Sequence, residues 1–350
     1  MNEIPQFNRY IGIDYSGAET ADSSCKGLRV YVAEGSNEPT QVLLPSGQKK
    51  YWTRRGLAEW LCKELDRDIP TLVGIDHGFS FPLAYFEKYR LSSDWQSFLE
   101  DFHRHWPTDA QHTYVCFIRE DPSGRGLKRT GERSWLRLTE RWTPTAKSVF
   151  GFGVQGEVAT STHAGLPWLL YLRKQCKRPV HFWPFDGWEV PEGRSVVAEV
   201  YPSLWTRRFP KDDRDGDEQT AYAAAVWLQR ADRSGSLGGF LSPSLTPEEL
   251  GIAEIEGWIP ISSDPCECGG QSSRTTGGLV GDMQTTEARL RPGFSSSQCG
   301  VQTAEILLNR VAISPLFSIS WVVQVLENQQ PVDSKGRGID DVDSLMNVVR

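Results

Sequence analysis

The tripeptide Gly-Ile-Asp occurs twice, as Gly12-Ile13-Asp14 and Gly74-Ile75-Asp76. Each closes a short run rich in β-branched and aliphatic residues, Tyr10–Asp14 and Thr71–Asp76, of the kind that forms a buried strand. An acid at the carboxyl end of such a strand stands where open α/β sheets place their ligands. On neighbouring parallel strands the two carboxylates would lie side by side, and like charges in contact call for a cation. Ligands that are all oxygen suit Mg²⁺ or Mn²⁺ better than zinc. Glu199, near the end of the run Ser195–Val200, and Asp217, at the start of an alanine-rich segment, are candidates to complete the set. Two such ions about 4 Å apart would activate water and stabilise the leaving oxygen of a phosphodiester. The plain alternative is that each acid caps the turn after its strand, and the repetition of the tripeptide weighs against it. For Glu199 the alternative is a structural contact under the sheet. Near Asp217, the acids Asp212, Asp213, Asp215 and Glu218 could substitute, and any acid in a first helical turn is favoured by the helix dipole.

The elements that must position these acids follow from pattern. After Tyr10–Asp14, the runs Leu28–Ala33 and Thr40–Leu44 flank the turn-forming Gly35–Pro39, and such close spacing implies an antiparallel meander. Leu57, Trp60, Leu61 and Leu65 recur at helical spacing behind Thr53, a natural N-cap. Helices are expected near 82–105, 131–142 and 163–176. Ser195–Val200 forms a fifth strand, Glu218–Ala231 a helix, and Ile252–Ile259 closes the domain. From Gly269 to Ser297 glycine, serine and threonine dominate, which reads as linker or disorder, with one further helix or strand pair within 302–327. No internal repeat is visible.

Composition bounds the function. The chain has 350 residues, 39% hydrophobic and 24% charged, enough to bury a large core. Its formal charge is −7, which excludes a globally basic coat but not a local basic groove. Met1–Tyr10 has no apolar run, and no stretch of about 20 apolar residues occurs, the longest candidate being Val311–Leu326. Seven cysteines, mostly far apart, suit reduced thiols, so a cytoplasmic protein without membrane attachment is expected.

The order of three strands, helix, strand, insertion, strand and helix resembles the RNase H-like fold. The wording is similar to the family of predicted RNase H-like nucleases known as domain of unknown function 429. Ile11–Ala18, Gly74–Pro82, Thr162–Trp168, Ala198–Pro202, Asp217–Tyr222 and Glu256–Trp258 carry this resemblance, across about residues 10–259. It implies an α/β domain over 1–259, with a mixed five-stranded sheet, flanking helices and a large helical insertion at about 78–180; residues 260–350 fall outside it. It also implies metal-dependent hydrolysis of nucleic acid, DNA or RNA, with Asp14, Asp76, Glu199 and Asp217 as catalytic and Mg²⁺- or Mn²⁺-binding acids. One position departs: the family pattern has a second acid three residues after the first on the last helix, and here Thr220 stands there.

The remaining signals are weaker. Gly151–Gly156 fits the dinucleotide-loop pattern but lacks its strand, helix and distal acid, so a glycine-rich turn and no dinucleotide cofactor are expected. The stretch Arg119–Lys147 is locally basic, and Arg125, Lys128, Arg129 and Arg133 could track a phosphate backbone, unless they form an ion-paired solvated face. His77 could shuttle protons beside Asp76, or simply bond nearby backbone. His163 should open a helix behind Thr162. Cys266 and Cys268 make a poor zinc site, and Trp168, Tyr201 and Trp205 read as core. Three rival readings stand beside the nuclease. Asp14-Tyr-Ser-Gly17 and Asp76-His-Gly78 approach the loops of actin- and hexokinase-type ATP-dependent phosphotransferases, although no duplicated half is visible. A non-catalytic nucleic-acid-binding module with a degenerate metal site is the second, and a purely structural or regulatory protein the third.

Overall fold

The computed structural model describes residues 5–260, apart from 45–48, 121–128, 144 and 155. They belong to one compact unit, Met1–Ser273. The expected linker, the further elements within 302–327 and Cys266-Glu-Cys268 lie outside the described residues. Strand β1 (Arg9–Asp14) pairs antiparallel with β2 (Arg29–Glu34), which pairs antiparallel with the short β3 (Thr40–Gln41). Helix α1 (Arg54–Leu65) starts at Thr53, whose hydroxyl accepts the Gly56 N–H at 2.9 Å, and leads to β4 (Thr71–Asp76), parallel to β1. The insertion holds α2 (Leu83–Tyr89), α3 (Trp95–His105), α4 (Val115–Arg119), α5 (Leu138–Trp142) and α6 (Ala159–Gln175). Then come β5 (Val180–Trp183), β6 (Ser195–Glu199), α7 (Gly216–Arg233), α8 (Leu237–Leu241) and α9 (Pro247–Glu256).

The sheet is mixed and six-stranded, in the order β3-β2-β1-β4-β6-β5. The α/β class and the meander are as expected; the strand count is corrected from five to six. The extra strand, β5, pairs parallel with β6 at the sheet edge. It is four residues long and stands between Pro179 and Pro184, residues that punctuate a sequence but are tolerated at an edge. The helix expected over 82–105 is two helices, broken at Arg90, which takes a left-handed conformation with φ 54°. Only Leu138–Trp142 of the expected 131–142 is helical.

Two hydrophobic clusters sandwich the sheet. Ile11, Ile13, Val73, Ile75 and Val197 face α1, α3 and α6, whereas Tyr10, Leu72, Val196, Ala198 and Val200 face α7. Because the central strands are buried on both faces, their side chains sort by parity alone. His163 does not open α6: it lies inside the helix, fully buried among Phe81, Trp106 and Phe152. Pro167 follows four residues later and cannot donate to the His163 carbonyl, so the Thr108 hydroxyl does so instead, at 2.6 Å.

Helix α7 can lie flat on the sheet because its contact face is alanine and β1 offers Gly12 beneath it. A Cβ on Gly12 would stand 2.2 Å from the Ala221 carbonyl oxygen and 2.5 Å from the Ala225 nitrogen, both backbone atoms that cannot give way. Gly12→Ala is therefore expected to destabilise the protein by about 2–4 kcal/mol through overpacking. Gly216→Ala, where a Cβ meets nothing within 4 Å, should be close to neutral. Equilibrium urea unfolding of the two variants checks the contrast.

Candidate active site

The register of β1 and β4 is without stagger: Gly12 faces Gly74, Ile13 faces Ile75, and Asp14 faces Asp76. Paired residues on adjacent strands project to the same face, here the α7 face. Both acids are half-buried. Among the described residues neither carboxylate has a hydrogen-bond or ion-pair partner. Burial, and then the Asp76 and Asp217 charges, push the Asp14 carboxyl well above its ordinary range. Burial, and then the Glu199 charge, push Asp76 up to about 7. The Arg29 charge opposes the rise at Asp14 without cancelling it, and two acids held together in this way are a pair arranged for a cation or a shared proton.

Asp217, on α7, acts on Asp14 through its charge. Ala225, Ala221 and Asp217 follow at steps of four, so the helical stripe that packs on Gly12 carries Asp217 onward toward Asp14. The neighbouring acids are occupied otherwise. Asp215 caps α7 by accepting the Glu218 N–H at 2.8 Å, and Glu218 returns the bond to the Asp215 N–H at 3.0 Å. Both also bind Arg29, the register partner of Asp14 on β2: its guanidinium lies 3.0 Å from Asp215 and 3.6 Å from Glu218. Arg29 thereby fixes the start of α7, and it is a site residue that the sequence did not single out. Thr220 spends its hydroxyl on the Gly216 carbonyl at 3.0 Å.

Glu199 is placed differently. It pairs with Ile75, not Asp76, so it projects to the face opposite the aspartates, and Val200 follows Ala198 on the α7 face. There it is 3% exposed and held in a two-pronged ion pair by Arg137, at 2.6 and 2.7 Å, while also accepting the Phe79 N–H at 2.9 Å. Its plain alternative, a contact under the sheet, describes this geometry. Arg137 also reaches Glu140 at 2.9 Å and the Glu256 carbonyl at 3.2 Å.

His77 turns away as well. Its Nδ1 bonds the Gly78 carbonyl at 2.8 Å, and burial pushes its pKa down to about 4. That matches backbone bonding rather than a shuttle poised near neutrality. The run starting at Thr162 serves these loops: Thr162 accepts the Gly78 N–H at 2.9 Å, and a Cβ on Gly165 would stand 2.4 Å from His77 Nε2. Of the proposed phosphate-tracking residues, Arg125 and Lys128 lie outside the described residues. Arg129 pairs with Asp101 at 2.7 Å and stacks over Tyr89, and Arg133 is exposed.

Among the described residues, no three His, Cys, Asp or Glu side chains stand close enough together to hold a metal ion. A Mg²⁺ ion commonly takes one or two carboxylates and keeps waters elsewhere, a donor number that the pair Asp14 and Asp76 supplies. No helix of the described residues is long and apolar enough to cross a membrane. Comparisons with protein-family models, curated proteins and solved structures find no match to the chain.

Two measurements test this electrostatic picture. Between about pH 4, where an unfolded aspartate titrates, and pH 7, the folded protein binds more protons at Asp76 than the unfolded chain does. Stability from this group is thus present at low pH and lost as pH rises through that window. In chelator, Asp76→Asn should equal wild type near pH 4 and exceed it by about 1–3 kcal/mol at pH 8, as read from urea unfolding at each pH. Arg137→Met should cost about 3–5 kcal/mol by leaving Glu199 buried and unpaired, and adding Glu199→Gln should recover part of that loss.

Proposed function

We propose that the chain is a divalent-cation-dependent phosphodiesterase acting on nucleic acid, with an RNase H-like sheet and kinship to the predicted nucleases of domain of unknown function 429. The observation that carries the reading is the in-register pair Asp14 and Asp76, neighbours at the carboxyl ends of two parallel strands and both raised in pKa. The strand order supports the fold assignment, with β5 as an addition at its edge.

In this reading Asp14 and Asp76 would hold Mg²⁺ or Mn²⁺, with Asp217 on α7 adding to the negative field that acts on Asp14. The bound cation supplies polarisation of a phosphate oxygen and activation of a water. Asp14 and Asp76 orient that ion because their strands are rigid and locked in register. Arg29 holds the first turn of α7, and so Asp217, through Asp215 and Glu218. Glu199 acts as a positioning residue: it anchors Phe79 on the loop that follows Asp76. Room for a second ion would have to come from Asp217 and water, since Glu199 is engaged by Arg137.

A non-catalytic nucleic-acid-binding module is the second reading. It is favoured by Thr220 at the position where the family pattern carries an acid, and by the lack of a three-ligand group among the described residues.

The deciding experiment assays the full chain on single- and double-stranded DNA, RNA and an RNA–DNA hybrid, with Mg²⁺ or Mn²⁺. Cleavage should appear with metal, fall at least about 100-fold in Asp14→Asn, and leave stability equal or higher, because the amide relieves acid–acid repulsion. Thr220→Asp should raise the rate if that position is a lost ligand. Binding without cleavage, unchanged by Asp14→Asn, would select the second reading. No cleavage and no metal-induced stabilisation of the wild type would overturn the nuclease.

A further inference from the structure

A cavity of about 520 Å³ lies beside the edge strand β5, bounded by the end of α6, by Val180–Phe182 and by residues 191–194. It does not belong to the carboxylate site. Strand β6 separates β5 from β4, and Val180 is level with Ser195, the first residue of β6, whereas Asp76 ends β4. Four cations line the cavity, Arg173, Lys177, Arg178 and Arg194, against one acid, Asp186. Arg173 pairs with Asp186 at 2.8 Å, and Arg178 pairs with Asp68 at the exposed surface, where such a bond contributes little. Among the described residues, the side chains of Lys177 and Arg194 have no hydrogen bond or ion pair. His181 also lines the cavity, but burial pushes its pKa down, as does the Arg194 charge, so it adds no charge near neutrality.

The backbone and side chains that carry these charges are fixed. The Asp66 carboxylate accepts the N–H of Lys177 at 2.7 Å and that of Arg178 at 3.0 Å. Arg173 lies over the Trp95 and Phe182 rings and donates from Nε to Gln96 at 3.3 Å. The Arg194 N–H donates to the Pro191 carbonyl at 3.1 Å and closes the far wall. Like charges gathered in one hollow repel one another, and the carbonyl end of α6 offsets only about half an elementary charge. Unpaired guanidinium and ammonium groups are the side chains that recognise phosphate. The volume falls within the roughly 300–1,000 Å³ of small-molecule sites, which leaves room beyond a phosphate for the body of an ester. Pro179, Val180 and Pro191 supply an apolar wall for that body. A nucleic-acid strand would need cations spread along a track, whereas these line a single hollow.

We infer that this cavity is a binding site for a small phosphate monoester of about nucleotide size, its phosphate held by Lys177 and Arg194 and its body lying against Pro179, Val180 and Pro191. The site is separate from Asp14 and Asp76 and does not rest on the nuclease reading.

The full chain is titrated by isothermal calorimetry at constant ionic strength with adenosine 5′-monophosphate and glucose 6-phosphate, and with adenosine, glucose and inorganic phosphate. EDTA is present throughout, so the result does not depend on a metal at the carboxylate site. At least one of the two esters should bind saturably, one per chain, about tenfold or more tighter than its unphosphorylated counterpart and than inorganic phosphate. Lys177→Gln and Arg194→Gln should each weaken that binding about tenfold while leaving the urea midpoint unchanged, because neither side chain holds the fold. Lys174→Gln removes a neighbouring charge that pairs with Glu100 outside the cavity, and should change the affinity less than about twofold. Asp14→Asn should likewise leave it unchanged. The assignment is overturned if neither ester binds saturably, or if Lys174→Gln or Asp14→Asn costs as much as Lys177→Gln. An oligonucleotide without a terminal phosphate that displaces the ester with equal affinity would also overturn it, in favour of a nucleic-acid groove.

Discussion

The unstaggered parallel register of β1 and β4 is the constraint on which the molecule turns. It places glycine against glycine at one level, and so opens the sheet to the alanine face of α7. Two residues further it places aspartate against aspartate. One step beyond each aspartate, Tyr15 and His77 pass to the opposite face, where α1 and α6 receive them. A slip of one residue would carry all of these to the wrong side. The register is therefore not a background feature of the core but the device that sorts acidic chemistry to one face and aromatic packing to the other.

A second element of order is the buried network around Arg137. It binds Glu140 in α5, the helix that it precedes, Glu199 at the end of β6 and the backbone at the end of α9. Glu256 meanwhile accepts the backbone N–H of Leu83 at 2.6 Å and that of Leu138. Glu199 and Glu256 thus grip the loop after β4 at Phe79 and at Leu83. Buried ion pairs seldom raise net stability over a well-packed apolar equivalent, because desolvation offsets the attraction. What this one supplies is geometry: the insertion is tied to the loop that leaves Asp76.

That network also explains what the sequence could and could not disclose. The repeated Gly-Ile-Asp, the Thr53 cap, the meander and the alanine helix were legible because each rests on local chemistry or on period. The face of Glu199 was not. Ser195–Glu199 is buried on both sides, so its residues do not alternate in polarity and parity cannot be counted from them. Its partner Arg137 lies 62 positions away, in a stretch whose charge suggested phosphate contacts. Arg29 was hidden for a similar reason, since an arginine at the head of a strand ordinarily signals an exposed end. Strand β5 was concealed between its two prolines.

The two ends of charge at the top of the sheet share one physical logic. On the α7 face, the Asp14 and Asp76 carboxyls are both raised in pKa, and Arg29, whose charge opposes that rise at Asp14, is ion-paired with Asp215 and Glu218. On the α1 and α6 face, Arg54 is positive and its guanidinium has no hydrogen-bond partner among the described residues. A chain selected for stability alone would move these charges together or replace them by apolar side chains, and either change is available to it. Instead the fold keeps them apart, the aspartates at the ends of β1 and β4 and Arg54 at the start of α1. On the proposed reading a cation at the paired aspartates would offset their mutual repulsion, so occupancy of that face, rather than burial of more surface, is the variable through which this fold would answer to its surroundings.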